Sequence, residues 1–360
     1  MSPFGKSLDA ALRTGTAGVQ AVSRDHRRFR AARREWYSRV WEAAAAEIGA
    51  TATRRGESLL EIRRDGAATW VDESATDLDG PATRRAVDDD ELVAELLSLR
   101  GLPTPARHAF TAANPRGART FLGEHERCVV KPRRRASGGR GVTMNVTSSR
   151  GLGRAIARAA SGGNDLLVQE QVDGVVLRVL VLDGRILDAV WRRPPGIVGD
   201  GQHAIHQLIE IENDLRRQEL LARCQSILTV DRDLLGTLRR AGLDMGEVLA
   251  KGQRFDLKTV VHQNTLAETA DVTRGLDAAT VEIAVAAAQA VGVRLAGVDL
   301  ILAGPDAPPD ARQCVVLGVD AKPGLFPHHQ PDGNRVAVPI LEECLTTRFE
   351  VDVPDRGDLL

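Results

Sequence analysis

Lysine is scarce in this chain. Of 48 basic residues only Lys6, Lys131, Lys251, Lys258 and Lys322 are lysine; the others are arginine. With the many alanines, that bias marks a GC-rich coding sequence. It lowers the weight of any single arginine and raises that of each lysine. Net charge is nearly absent as well. A formal −1 over 360 residues excludes a chain-wide nucleic-acid footprint, so any basic patch is local. Long apolar runs are missing. No segment approaches 18 uninterrupted apolar residues, so no membrane span is expected. The opening MSPFGKSLDAALRTG has no apolar stretch of signal-peptide length, and a cytoplasmic location is expected. The four cysteines, Cys128, Cys224, Cys314 and Cys344, have no metal-ligand spacing and lie among apolar residues. They read as buried thiols in a reducing compartment. There is no internal repeat and no extended low-complexity tract.

What is present is enough for a core: 43% of residues are apolar, and the length predicts two or three packed lobes. Helix-like periodicity marks 17–48, which Gly49 ends. Short strands are expected at 51–55, 58–64 and 68–73. A helix start, apolar Leu92, Leu96 and Leu97, and a Gly stop before Pro mark 88–103. Strands at 108–112, 128–131, 143–146 and 166–172 alternate with helices at 115–125 and 148–161. Residues 175–193 read as two strands joined by Asp183-Gly184, a strong hairpin signal. After the loop PPGIVGDG come helices at 204–225 and 231–241, a strand at 253–262 and a helix at 278–292. Strands at 293–304 and 313–324 and a helix at 335–349 lead to an acidic tail. Strands pair by hairpins and alternate with helices, so the class is α+β.

The most informative stretch is CVVKPRRRASGGRGVTMNV, residues 128–146. A hairpin needs two to five connecting residues; this connection is far longer and strongly basic. Gly138, Gly139 and Gly141 let backbone N–H groups approach an oxyanion, and Arg140 neutralises it. Lys131, ending a strand, places a point charge on the same phosphates. No GK[ST] follows and a strand comes next, which rules out a Walker A loop. The plain alternative is a solvated basic loop. Two aspartates add weight. Asp299 in AGVDLIL and Asp320 in LGVDAKPG interrupt runs that would otherwise be core, and a charge there must be paired or bind a metal. Two carboxylates facing a triphosphate are what Mg²⁺ needs. The alternative is that each is a structural ion-pair partner.

These residues resemble the ATP-grasp ligases, and in particular the ATP-grasp region of cyanophycin synthetases. The likeness runs in order from about residue 86 to about 345. It comprises Val129-Val130-Lys131-Pro132 with Gly139-Arg140-Gly141-Val142; Val168-Gln169-Glu170; Arg178-Val179-Leu180-Val181; Arg192 through Pro194 and Val198 to Gly199-Asp200-Gly201; Leu208, Ile209 and Asn213; Ala296-Gly297-Val298-Asp299; and a closing segment that includes His328. The resemblance implies an ATP-grasp fold, two α+β lobes clamping ATP, behind an N-terminal α/β domain. The expected division is 1–100, a small lobe with the flap over 101–165, a large lobe over 166–348 and a tail over 349–360.

The implied activity is ATP-dependent ligation of a carboxylate to an amine through an acyl phosphate. ADP and then phosphate leave, and the substrates are amino acids or small peptides, as in secondary metabolism. ATP and Mg²⁺ are the implied cofactors. Lys131 and Gly138–Gly141 with Arg140 would take the phosphates, and Gln169 and Glu170 the adenine and ribose. Arg178 and Arg192 would bind the transferring phosphoryl group or the carboxylate, Asp299 and Asp320 Mg²⁺, and Asn264 and His328 the substrate. Arg133, Arg134 and Arg135 read as solvated. The partners implied are a small acid and a small amine, with no nucleic acid and no membrane. Helix 17–48 is either a homodimer face or, by default, packs on the central lobe.

The departures from the pattern matter. Gly318 stands where the family has a Glu that bridges two Mg²⁺, and Asp320 replaces an Asn. The loop Asn264-Thr265-Leu266-Ala267-Glu268-Thr269 has lost its glycines. Asp90 and Ala94 stand where lysines are expected, and the second half of cyanophycin synthetase has no counterpart. A nucleotide-binding protein with a degenerate metal site, and a phosphotransferase, therefore remain as alternatives.

Overall fold

The computed structural model describes residues 4–134, 139, 141–219, 226–259, 268–302, 314–328 and 336–346, with side chains from residue 25 onward. Arg135, Gly138, Arg140, Cys224, Asn264 and the tail 349–360 lie outside these residues. Contacts divide the chain into one unit of residues 1–36 and 195–259 and another of residues 37–194 and 260–360.

Helix α1 (Phe4–Glu47) starts earlier than its expected residue 17. It follows Pro3 and no proline interrupts it, so nothing breaks the Ala- and Arg-rich sequence before Gly49, which takes φ +73°. Within the second unit, Tyr37, Val40, Trp41, Ala44 and Ala45 form its buried face, so this part of the helix packs internally. Strands β1 (Thr51–Arg54), β2 (Leu59–Arg64) and β3 (Ala67–Asp72) form an antiparallel meander. Helix α2 (Pro81–Val87) was not anticipated, although Pro81 at its first position after Gly80 is a start signal. In α3 (Asp90–Leu99) the N-cap Asp89 accepts the N–H groups of Glu91 and Leu92.

Next come β4 (Arg107–Thr111), α4 (Arg116–Glu124), β5 (Cys128–Pro132), β6 (Thr143–Val146), α5 (Ser149–Ala159) and β7 (Asp165–Glu170). They form an antiparallel sheet of order β4-β7-β5-β6. Its apolar face packs Phe110, Val130, Leu166 and Val168 against Phe121, Leu152 and Ala155 of the helices. The hairpin β8 (Val175–Leu182) and β9 (Arg185–Arg193) turns at Asp183-Gly184, both at positive φ (47° and 76°), as a type I′ turn requires.

In the first unit, β10 (Gly196–Val198) pairs with β11 (Arg254–Asp256). The expected strand 253–262 is thus short among the described residues. Its partner begins only after Pro194-Pro195, where Pro195 has no N–H to give. Between them lie α6 (Ile205–Gln218) and α7 (Arg232–Arg240). Asn213 exchanges hydrogen bonds with the backbone of Leu228 (3.0 and 2.6 Å), so this motif residue braces a loop.

Back in the second unit, β12 (Glu268–Asp271), α8 (Ala278–Ala290), β13 (Leu295–Leu302), β14 (Val315–Asp320) and α9 (Ala337–Thr346) complete the fold. The five-stranded order is β12-β9-β8-β13-β14, every pair antiparallel. One face of this sheet (Leu177, Val179, Ala189, Val298, Val319) is apolar. It packs on the alanines of α8 and on Val93 and Leu97 of α3. No helix among the described residues is long and apolar enough to cross a membrane.

Strand β13 begins at a buried carboxylate. Asp79 accepts the N–H groups of Arg294 (2.9 Å) and Leu295 (3.2 Å). Asp79→Ala would leave both donors without that partner and is expected to cost about 1–3 kcal/mol. Asp79→Asn, which keeps an acceptor, should cost less. Chemical denaturation midpoints check the order.

Candidate active site

Side chains alternate across a strand, so the face opposite the apolar one is fixed by register. Asp188 pairs with Leu180, Val190 with Arg178, and Arg192 with Val176. Across the sheet, Arg178 lies opposite Asp299, Gly297 opposite Asp320, and Asp299 opposite Gly318. A register shift at Asp299/Leu300 marks a bulge there, a device common beside functional sites. One face thus carries Asp188, Arg192, Arg178, Asp299 and Asp320.

The Arg178 guanidinium is fully buried. It donates to Asp299 Oδ2 at 2.8 Å and to Asp320 Oδ2 at 2.7 Å. It lies directly over Gly297: a Cβ there would sit 2.3 Å from Arg178 Cζ. Arg192, 3% exposed, reaches Asp299 Oδ1 only at 3.5 Å. Among the described residues its Nε and Nη2 have no hydrogen-bond partner. Burial, and then the neighbouring Arg178 charge, push its guanidinium down to about 10 against the pull of Asp299 and Asp320. It remains a cation at neutral pH.

His328 is fully buried and donates from Nδ1 to Asp188 Oδ2 at 2.7 Å. Thr273 Oγ1 lies 3.0 Å from the other oxygen of Asp188 and 2.6 Å from Asp271 Oδ1, which compete for its one proton. Burial lowers the His328 pKa, partly offset by Asp188, and Arg192 and Arg178 lower it further. The ring is therefore neutral, and its Nε2 lone pair has no partner among the described residues.

On the four-stranded sheet, Lys131 lies in register with Leu167, Gln169 with Val129, and Glu170 with Cys128. Gln169 is 5% exposed, and its Oε1 has no partner among the described residues. Glu170 is half exposed, 3.8 Å from His125. Gly139 and Gly141 take φ +68° and +82°, and a Cβ on Gly141 would meet Pro132 and Ala159 at 3.1–3.3 Å. Lys131 Nζ lies 2.6 Å from Asp90 Oδ2. Arg133 is not simply solvated, as expected from sequence, since it donates to Asp89 at 3.0 Å. Among the described cysteines, Cys128, Cys314 and Cys344 are buried free thiols.

Comparison with known proteins adds to this geometry. No family model matches the chain. Cyanophycin synthetase of Geminocystis herdmanii (strain PCC 6308) is 28% identical over 226 residues, 60% of this chain and 25% of that protein. The glutathione biosynthesis bifunctional protein GshAB of Streptococcus thermophilus (strain CNRZ 1066) is 26% identical over 259 residues, 69% of this chain and 34% of that one. A bifunctional glutathione synthetase from Pasteurella multocida superposes with a TM-score of 0.58 at 19% identity, over 85% of this chain and 44% of the other. This chain has the ATP-grasp fold. Over the matched stretch its sequence is similar to that of the cyanophycin synthetases. It spans about a quarter of the length of the cyanophycin synthetase and a third of GshAB.

The ATP-grasp face holds residues that sequence reasoning missed. Asp188 interrupts the apolar run RILDAVW as Asp299 and Asp320 interrupt theirs, so the same signal was available. Thr273 carried none. Gly297 stood inside a quoted motif, but its reason, room for a guanidinium, needs the register.

Gly297→Ala is expected to push Arg178 off its two carboxylates and to cost about 1–3 kcal/mol. In an Arg178→Ala background the extra cost should vanish, as a denaturation double-mutant cycle would record. For His328, a lowered folded pKa means that the unfolded chain takes a proton first as pH falls below about 6.5. Stability should decline from that pH down to the folded pKa. The decline should be shallower in His328→Gln, read from urea midpoints between pH 7.5 and 5.

Proposed function

We propose that this chain is an ATP-dependent carboxylate–amine ligase that forms an amide bond through an acyl phosphate, acting on amino acids or small peptides. The observation that carries the reading is Arg192: a buried guanidinium whose Nε and Nη2 have no acceptor among the described residues, on the face that holds Arg178, Asp299 and Asp320. Buried donors of this kind need an acceptor, and an anionic substrate group supplies one. The substrate carboxylate, or the phosphoryl group it receives, would accept from Arg192 while Arg178 keeps the two carboxylates in place. Charge neutralisation and positioning are what phosphoryl transfer asks of a protein.

The donor set fits a nucleotide and Mg²⁺. Asp299 and Asp320 keep 18 and 15% side-chain exposure on neighbouring strands, and Mg²⁺ commonly takes one or two carboxylates beside substrate phosphates. These two residues would hold it, and when bound it would neutralise phosphate charge. Lys131, Gly138, Gly139, Arg140 and Gly141 would face the phosphates, Gln169 and Glu170 the adenine and ribose, and Asn264 and His328 the substrate. The small lobe over 101–165 and the large lobe over 166–348 belong to this reading.

A second reading, nucleotide binding with weak or no turnover, is favoured by one observation. Gly318 lies opposite Asp299 where a third carboxylate would complete the metal site, and no cluster of three metal-ligating side chains occurs among the described residues. Under the ligase reading, ADP and phosphate appear together only when an acid and an amine are both supplied, and hydroxylamine traps the acyl phosphate. Arg192→Gln should lower that turnover by about a hundredfold or more. AMP release in a screen of acid–amine pairs would refute the mechanism. Nucleotide binding without turnover that Gly318→Glu converts into turnover would select the second reading.

A further inference from the structure

The Lys131 ammonium is already engaged. Its Nζ lies 2.6 Å from Asp90 Oδ2, and the two side chains are only 16 and 10% exposed. Asp90 opens α3, where the helix terminus favours negative charge. The chain leaving β5 is fastened to the same turn. The Asp90 N–H donates to Arg133 O at 3.1 Å, Arg133 Nε donates to Asp89 Oδ1 at 3.0 Å, and Asp89 bridges to Arg134. One turn and two turns further along α3, Val93 and Leu97 are locked into the core beneath the five-stranded sheet. The Asp90 carboxylate therefore cannot retreat by moving the helix.

We propose that Asp90 is a specificity residue of the nucleotide site. It competes with the nucleotide's phosphates for Lys131 and so disfavours the metal-free nucleotide. The proposal rests on the nucleotide-binding reading above. A lysine–aspartate pair at this distance has no net charge to offer. An arriving phosphate must displace the carboxylate or share the ammonium with it, and sharing sets two anions a few ångströms apart. The pair is mostly shielded from water, so solvent and salt screen that repulsion only in part. A divalent cation reduces the charge on the phosphates and with it the repulsion; a bare polyphosphate feels it in full. The neutral pair is thus a filter on the charge state of the ligand, set by one residue where the family pattern has lysine.

Calorimetry with ADP, with and without Mg²⁺, tests this on the full chain, Asp90→Asn, Lys131→Met and the double variant. Asp90→Asn should tighten ADP binding about tenfold without Mg²⁺ and clearly less with it. In the Lys131→Met background the same change should have no effect, which separates competition for the ammonium from a general loss of negative charge. Asp90→Ser serves if the asparagine variant does not fold. If Asp90→Asn binds ADP as the parent does or more weakly, or if the gain survives in Lys131→Met, the inference is overturned and nucleotide binding stands. If none of the proteins takes up ADP under either condition, the nucleotide reading itself falls.

Discussion

The candidate site depends on one interaction, the buried Arg178 guanidinium shared between Asp299 and Asp320. Three strands must be in a single register for it to form, because its members come from β8, β13 and β14. It also needs a residue without a side chain at Gly297. Such a network is a poor source of stability: desolvation of the charges offsets most of their attraction, and an apolar set of the same shape often does as well. Removing one partner is costly, since it strands the others. A chain that keeps two carboxylates on an otherwise buried face, and places an arginine between them, is holding charge where chemistry can use it.

The period-2 alternation of the five-stranded sheet divides the labour. Leu177, Val179, Ala189, Val298 and Val319 face α3 and α8 and build the core. Their neighbours Arg178, Asp188, Arg192, Asp299 and Asp320 face the other way. A one-residue slip in any central strand would exchange the two sets, so the apolar face fixes the geometry of the charged one. Helix α3 extends the same logic to the other sheet. Its apolar residues seat it against β14 and α8, while its first turn carries Asp89 and Asp90 to Arg133 and Lys131. The position of Lys131 thus depends on packing in a different sheet.

Much of this was legible in the sequence. The hairpin at Asp183-Gly184, the helix ended by Gly292, and the strands around Asp299 and Asp320 carry strong local signals: turn residues that tolerate positive φ, and charges set in apolar runs. What escaped is non-local. The partner of His328 lies 140 residues away on β9, and the partner of Lys131 lies on a helix before the sheet begins. Local pattern announces that a buried charge needs a partner, but only register names it. Strand β12 was missed because ETAD has no apolar residue larger than alanine. It is an edge strand held by pairing to β9, not by burial. The pairing of Arg133 with Asp89 was illegible for the opposite reason, since in so arginine-rich a sequence it has no distinguishing mark.

Under the proposed ligase reading, the charged face also constrains the order of events. Two guanidiniums, Arg178 and Arg192, share it with three carboxylates, Asp188, Asp299 and Asp320, while His328 is neutral. That balance is net negative, so an anionic substrate group arriving alone would meet repulsion despite the open donors of Arg192. A divalent cation held by Asp299 and Asp320 would reverse the sign of the face and make Arg192 an effective anion receptor. Because Gly318 contributes no further negative charge, a single divalent ion is enough for that reversal. Under that reading, glycine at 318 would lower the metal charge needed before a substrate carboxylate could enter.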